Sequence, residues 1–218
     1  MSLQDNINRL IALLDVSEKR YPSAVASLHV NQACAALSED NDLWFDRFIY
    51  DYNYVYSETT GSNPNTVGVV PFSGIVVNNL AVGFIRNIFW LSGTKWKPID
   101  SWEYREALLT HNDVEGEPEN AVIFGGGLAL RPIPNVSSTV RLEVKGKPTP
   151  IGLSDSNGWL DNHPFAVLYR AAMYAAIYMM EDNRLATFTA MFKEEAERAA
   201  LHGSMMVMSE PRQAQEPG

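Results

Sequence analysis

Apolar residues recur every three to four positions at both ends of the chain and lose that period in the middle. Over residues 2–14 the series Leu3, Ile7, Leu10, Ile11 and Leu14 predicts a helix, with Ser2 as its N-cap. A polar connector, Asp15–Arg20, leads to Pro22, which suits the first turn of a second helix. Its apolar positions are Val25, Leu28, Ala33, Ala36 and Leu37, and the polar run Glu39–Asp42 ends it. From Trp44 to Tyr56 the composition favours strand, with partial alternation. Residues 57–68 carry several turn signals and predict a loop. Gly74–Asn79 predicts a short strand and turn, Phe84–Leu91 a second aromatic strand, and Ser92–Gly93 a turn. Trp96–Asp100 is extended, because Pro98 disfavours helix before it. Ser101–Leu109 fits either a short helix or a strand. Ala121–Phe124, Leu128–Arg131 and Val140–Val144 predict three further strands.

The helical period returns at Asp161 or Asn162, either of which could cap a helix with Pro164 in its first turn. Phe165, Leu168, Tyr169, Ala172, Ala175, Ala176 and Met179 form one stripe along it. Glu181–Arg184 is a break, and the helical spacing then continues from Leu185 to a stop at Gly203. The pair predicts an antiparallel hairpin packing on the N-terminal helices. The expected fold is therefore α+β: a helical bundle formed by N- and C-terminal helices, with an inserted antiparallel β-sandwich or barrel-like domain. The expected boundaries are 1–43 and 161–203 for the bundle, 44–160 for the β-rich insertion, and 204–218 for a flexible, Met-rich tail.

Composition narrows the function. The chain is 46% apolar and 20% charged, as a folded protein is. Its net charge is -9, with no basic segment, which argues against tight binding to the outside of a nucleic acid. One cysteine, Cys34, lies in an Ala-rich helical run and reads as a small buried hydrophobe. No signal segment is recognisable, and Arg170 interrupts the best apolar stretch, so a soluble protein made in a reducing cytoplasm is expected.

Catalytic patterns are lacking. No two of His29, His111, His163 and His202 lie within ten residues, and none sits in a metal-binding motif. Gly125–Gly127 reads as a turn between strands, since no Gly-Lys-Ser/Thr follows. Asp113, Glu115, Glu117 and Glu119 read as a solvated acidic loop without calcium-loop spacing. Glu194, Glu195 and Glu197 read as a solvated helix face, with Arg198 an i+4 partner of Glu194. No enzyme activity, cofactor or metal is expected.

One run carries a resemblance. Gly116-Glu117-Pro118, a strand, Leu128 through Asn135 with its Leu130-x-Pro132-x-Pro134 ending, another strand, and Asp161–Pro164 before Ala-rich helices resemble phage head-to-tail adaptor proteins. These are the connector or tail tubular protein A-like proteins of short-tailed phages, and the Tyr21–Pro22 opening is also similar. The resemblance implies a helical bundle carrying a β-domain insertion, in a ring of about 12 copies below the portal protein. The ring would extend the DNA channel, letting DNA pass without specific binding, and offer a platform for the tail nozzle protein and often for tail fibres. It implies location at the head-tail junction of the virion, no membrane, and no catalytic residue to carry over. A C-terminal extension reaches the portal in several members, which by position places Met205, Met206 and Met208 as apolar anchors.

Trp44, Trp90, Trp96 and Trp102 are the candidate contact surface of the β-domain. They also define the alternative, an aromatic-surfaced carbohydrate- or protein-binding module.

Overall fold

The computed structural model describes residues 1–56, 69–101, 115–124 and 126–209, with backbone alone at Phe124 and 203–209. The chain divides into a helical unit (Met1–Asp46, Asn78–Leu80 and Lys147–Gly218) and a sheet unit (Arg47–Val77 and Ala81–Gly146).

The helical unit contains five α-helices among the described residues: α1 (Leu3–Leu14), α2 (Ser23–Asp40), α3 (Gly158–Asn162), α4 (Pro164–Met179) and α5 (Asp182–Ser209). Helix α1 starts at a reciprocal cap. The Ser2 hydroxyl accepts from the Asp5 N–H at 3.2 Å, and the Asp5 carboxylate accepts from the Ser2 N–H at 3.1 Å. Its Leu3, Ile7, Leu10 and Leu14 are buried, as their spacing predicts. Each such side chain contributes roughly 1.5–3 kcal/mol by leaving water.

Helix α2 buries a different face from the one its larger residues suggest. Ala26, His29, Val30, Ala33, Cys34 and Leu37 face the core, while Leu28 is 54% exposed. Apolar residues occur on nearly every side of this helix, so spacing alone does not select the face. Helix α3 was not expected. Asn157 caps it by accepting from the Leu160 N–H at 3.0 Å, and α4 then starts at His163 with Pro164 in its first turn. Helix α5 continues through Gly203 to Ser209, past the expected stop: a single glycine weakens a helix by only about 1 kcal/mol.

Both ends of the chain meet in one apolar core. Leu3, Ile7, Leu10 and Leu14 of α1 and Val30, Ala33 and Leu37 of α2 join Ala166, Val167, Ala171, Ala172, Ala175 and Ala176 of α4 and Phe188 and Ala199 of α5. Helix α4 packs most extensively on α5 and α2. Its buried face is mostly alanine, which allows close helix approach. Leu43 also belongs to this core, and so do Ile151, Trp159 and Leu160, although these last three fall within the stretch 44–160 that the sequence pattern assigns to the β-rich part. Buried Asp46 explains part of this: its carboxylate accepts from the Trp159 indole N–H at 2.9 Å, satisfying both groups inside the core.

Among the described residues eight strands form a large, nearly closed sheet that is barrel-like, as expected, but mixed where an all-antiparallel sheet was expected. They are β1 (Arg47–Tyr54), β2 (Val69–Pro71), β3 (Val76–Val77), β4 (Leu80–Ser92), β5 (Lys95–Ser101), β6 (Asn120–Phe124), β7 (Gly127–Arg131) and β8 (Ser138–Pro148). The order is β1-β8-β4-β5-β6-β7-β2, with β3 on β4. The mixed character comes from β5 and β6, which pair in parallel at Asp100–Asn120 and Ser101–Ala121. A parallel pair needs a crossover of about a dozen residues or more, and the chain between these strands is long enough to supply one. Strand β1 runs antiparallel to β8 from Arg47–Lys145 to Tyr54–Ser138. Phe48, Tyr50, Tyr52 and Tyr54 consequently share one face of β1, the face opposite Val144, Leu142 and Val140 that carries buried Phe48 and Tyr54. The expected loop at 57–68 and the helix-or-strand alternative beyond Ser101 lie outside the described residues.

Gly158 opens α3 where no side chain fits. A Cβ there would lie 2.4 Å from the Phe45 ring. The substitution Gly158→Ala is expected to destabilise the protein by about 1–3 kcal/mol, read from the denaturant midpoint. An unchanged midpoint would contradict this packing.

Candidate docking surfaces

Exposed apolar groups make up the candidate contact sites among the described residues. Among the described residues no three His, Cys, Asp or Glu side chains come together to hold a metal ion. The Cys34 thiol is buried, with its pKa pushed up to about 12 by desolvation, so it is inert as a nucleophile. His29 is buried against the Tyr21 hydroxyl, 2.8 Å from its Nδ1, and burial lowers its pKa. Glu194 pairs with Arg198 on α5 at 2.5 Å, as its spacing predicts, and Glu195 joins the pair at 2.6 Å. Glu117 pairs with Lys97 at 2.6 Å and belongs to no ligand cluster among the described residues. Among the same residues no helix is long and apolar enough to cross a membrane.

The four candidate tryptophans separate. Trp44 is 44% exposed and packs edge-on against Phe45, whose ring meets Trp159 in the helical core. Trp90 is 1% exposed and packs edge-on against Tyr54, so it is a core residue of the sheet unit and not part of a contact surface. Its position on β4 explains the burial: Ile85, Ile88 and Trp90 all face inward. Trp96, on β5, is half-buried, and the Arg141 guanidinium lies 4.1 Å over its ring. Arg141 in turn donates two hydrogen bonds of 2.7 Å to Asp51 on the neighbouring β1. The hydrogen bonds and charge of Arg141 hold the Asp51 carboxyl below its usual range, and Asp51 raises the Arg141 pKa further. This ladder covers the aromatic face that a sugar would otherwise stack on. Trp102 lies outside the described residues. Met205, Met206 and Met208 lie on the last turns of α5, where backbone alone is described.

Other exposed apolar groups were not singled out from the sequence. On α4, Phe165 projects outward, not into the expected core stripe, and stacks on Tyr169 with ring centroids 6.4 Å apart. Ile177 and Tyr178 follow on exposed positions, and Met180 at the α4–α5 turn is 89% exposed. Met180 adopts φ 58°, a conformation that ordinarily favours Gly or Asn. A groove between α1 and α2 is lined by the apolar residues Ile7, Ile11, Ala24 and Leu153 and by the polar residues Gln4, Asn8 and Glu18. On the sheet unit Ile49, Val76, Phe84 and Ile123 are exposed. A helical-period count marks Phe165 and Ile177 as apolar but cannot say which of two adjacent faces another helix covers.

Replacing Arg141 with Ala is expected to uncover Trp96 and increase acrylamide quenching of its fluorescence. The same replacement in a Trp96→Phe background should leave quenching unchanged. Equal quenching with and without Arg141 in the native background would contradict the stacked geometry.

The family model described as SU10 adaptor protein matches residues 2–215. No curated protein matches the chain at a significant level. The match spans nearly the whole chain, including the termini that share the helical core and the sheet unit between them. The chain therefore belongs to the SU10 adaptor protein family, whose members are structural components of phage virions.

Proposed function

We propose that this chain is the head-to-tail adaptor of a phage, joining the portal protein to the tail nozzle protein. In this reading about 12 copies form a ring below the portal and extend the DNA channel. The observation that carries it is the family match over residues 2–215. The kinship proposed is with the tail tubular protein A-like adaptors of short-tailed phages. The helices from the two ends act as a helical bundle, and the β-rich middle acts as a lobe inserted for docking, against the nozzle and tail fibres.

Physical features support the assembly role. A ring of identical subunits needs two different surfaces on each copy, one meeting the other on its neighbour. The helical unit carries exposed apolar residues on α4 and at its end, Phe165, Ile177 and Met180, and separately the groove between α1 and α2. Each subunit has a net charge of -9, so a ring is strongly acidic. Acidic groups along a channel repel DNA phosphates and let the duplex slide without sticking. Trp44 and the exposed Phe84 are available for partner contact. Buried Trp90 and the Arg141-covered Trp96 weigh against a sugar-stacking module.

In this reading the portal contact runs through Met205, Met206 and Met208, on the last turns of α5. Methionine side chains adapt to irregular apolar surfaces. Electron microscopy of the protein mixed with portal is expected to show rings of about 12 copies stacked on the portal. Particles of the portal alone, with the protein remaining monomeric beside them, would contradict the proposal. The triple substitution Met205→Ser, Met206→Ser, Met208→Ser is expected to weaken portal binding at least tenfold, or about 1.4 kcal/mol or more. Unchanged affinity in a sedimentation or interferometry assay would remove these methionines from the contact and leave the ring to be judged by the images.

A further inference from the structure

His163 and His202 stand 39 residues apart in sequence and meet in the fold. Nδ1 of His202 lies 3.4 Å from Nε2 of His163, and the two rings are set edge to face with centroids 5.4 Å apart. His163 occupies the junction between α3 and α4, where it caps α4. Its ring also lies 5.9 Å from Phe45 and 5.8 Å from Trp159. His202 projects from the closing turns of α5, one turn beyond Arg198. The contact thus ties α5, two turns before its end at Ser209, to the start of α4.

We propose that this histidine pair is an acid-sensitive latch, holding the C-terminal turns of α5 against the α3–α4 junction and releasing them when both imidazoles are protonated. The chemistry lies in the two facing nitrogens. While the rings are neutral, one can present N–H and the other a lone pair, so one donates and the other accepts. A single added proton leaves one acceptor and keeps the bond. When both rings are protonated, both facing nitrogens carry hydrogen, no acceptor remains, and two cations stand in contact.

The surroundings resist that second proton. Burial first, and the neighbouring His202 second, hold the His163 pKa below its ordinary value. The first-turn N–H groups of α4 carry partial positive charge beside it, which also disfavours an imidazolium. The charged groups of the packed elements are already engaged. On the short turn Trp44–Asp46, Asp46 accepts from the Trp159 indole at 2.9 Å. On α3, Asp161 accepts from the Ser156 hydroxyl at 2.7 Å and pairs with the N-terminal ammonium. On α5, Arg198 is held by Glu194 and Glu195. The first turn of α4 holds no acidic residue. A histidine whose folded-state pKa is depressed stabilises the closed form above its unfolded value, near 6.5, and that stabilisation is lost as pH falls toward and through the folded-state value. The latch is therefore closed at neutral pH and opens in mild acid, freeing the turns that carry Met205, Met206 and Met208.

Amide hydrogen exchange on the full chain between pH 5 and 8, corrected for intrinsic rates, tests this. Opening of residues 200–209, divided by opening of α2, is expected to rise as pH falls below about 6.5, approaching tenfold per pH unit where one proton controls release. Using α2 as reference removes any general loss of stability from its own buried His29. In His202→Gln, whose amide can bond but does not titrate in this range, the ratio should stay flat. A wild-type ratio independent of pH would overturn the latch, and so would an equal pH slope in His202→Gln.

Discussion

The alanine-rich face of α4 is the constraint on which the helical unit depends. Ala166, Ala171, Ala172, Ala175 and Ala176 are all fully buried, so helices approach this surface across methyl groups. Side chains of that size cost almost no conformational entropy to bury, and they leave no slack for a larger residue. The close approach lets one core hold helices whose sequences lie more than 120 residues apart, such as α2 and α4. Everything between them closes a loop whose entropic penalty grows only slowly with length, so a whole sheet unit can occupy it.

The consequence for function is a division of labour within one chain. The helical unit has a core drawn from both ends, and several of its apolar side chains remain exposed along α4 and at the α4–α5 turn. Several of its titratable groups serve structure: Asp46 on the Trp159 indole, His29 on the Tyr21 hydroxyl, and Glu181 on Arg20 at 2.7 Å. The sheet unit uses its aromatics in the same structural way, with Trp90 against Tyr54 and Trp96 beneath Arg141. A chain so arranged offers shape and apolar surface to partners, in keeping with a family of structural adaptors.

Much of this was legible in the residues, for identifiable reasons. The apolar positions of α1 fall on one side only, so its buried face follows directly from spacing. The alanines of α4 likewise mark a close helix contact. In α2 the apolar residues run around the helix, and the neighbours decide that Ala26 is covered while Leu28 is not. Strand β4 breaks simple alternation: Arg86 and Asn87 are both exposed between buried Ile85 and Ile88, which shifts the phase that would place Trp90. The parallel β5–β6 pairing and the meeting of His163 with His202 depend on tertiary placement and leave no mark at any sequence spacing.

The central claim, that the first forty residues and the last sixty fold as one body, is tested most directly by native-state hydrogen exchange across a denaturant series. The account predicts that the slowest amides of α2 and α4 converge on one opening free energy with one denaturant dependence. Opening of α1 and α2 at a distinctly lower free energy, while α4 and α5 remain protected, would contradict it.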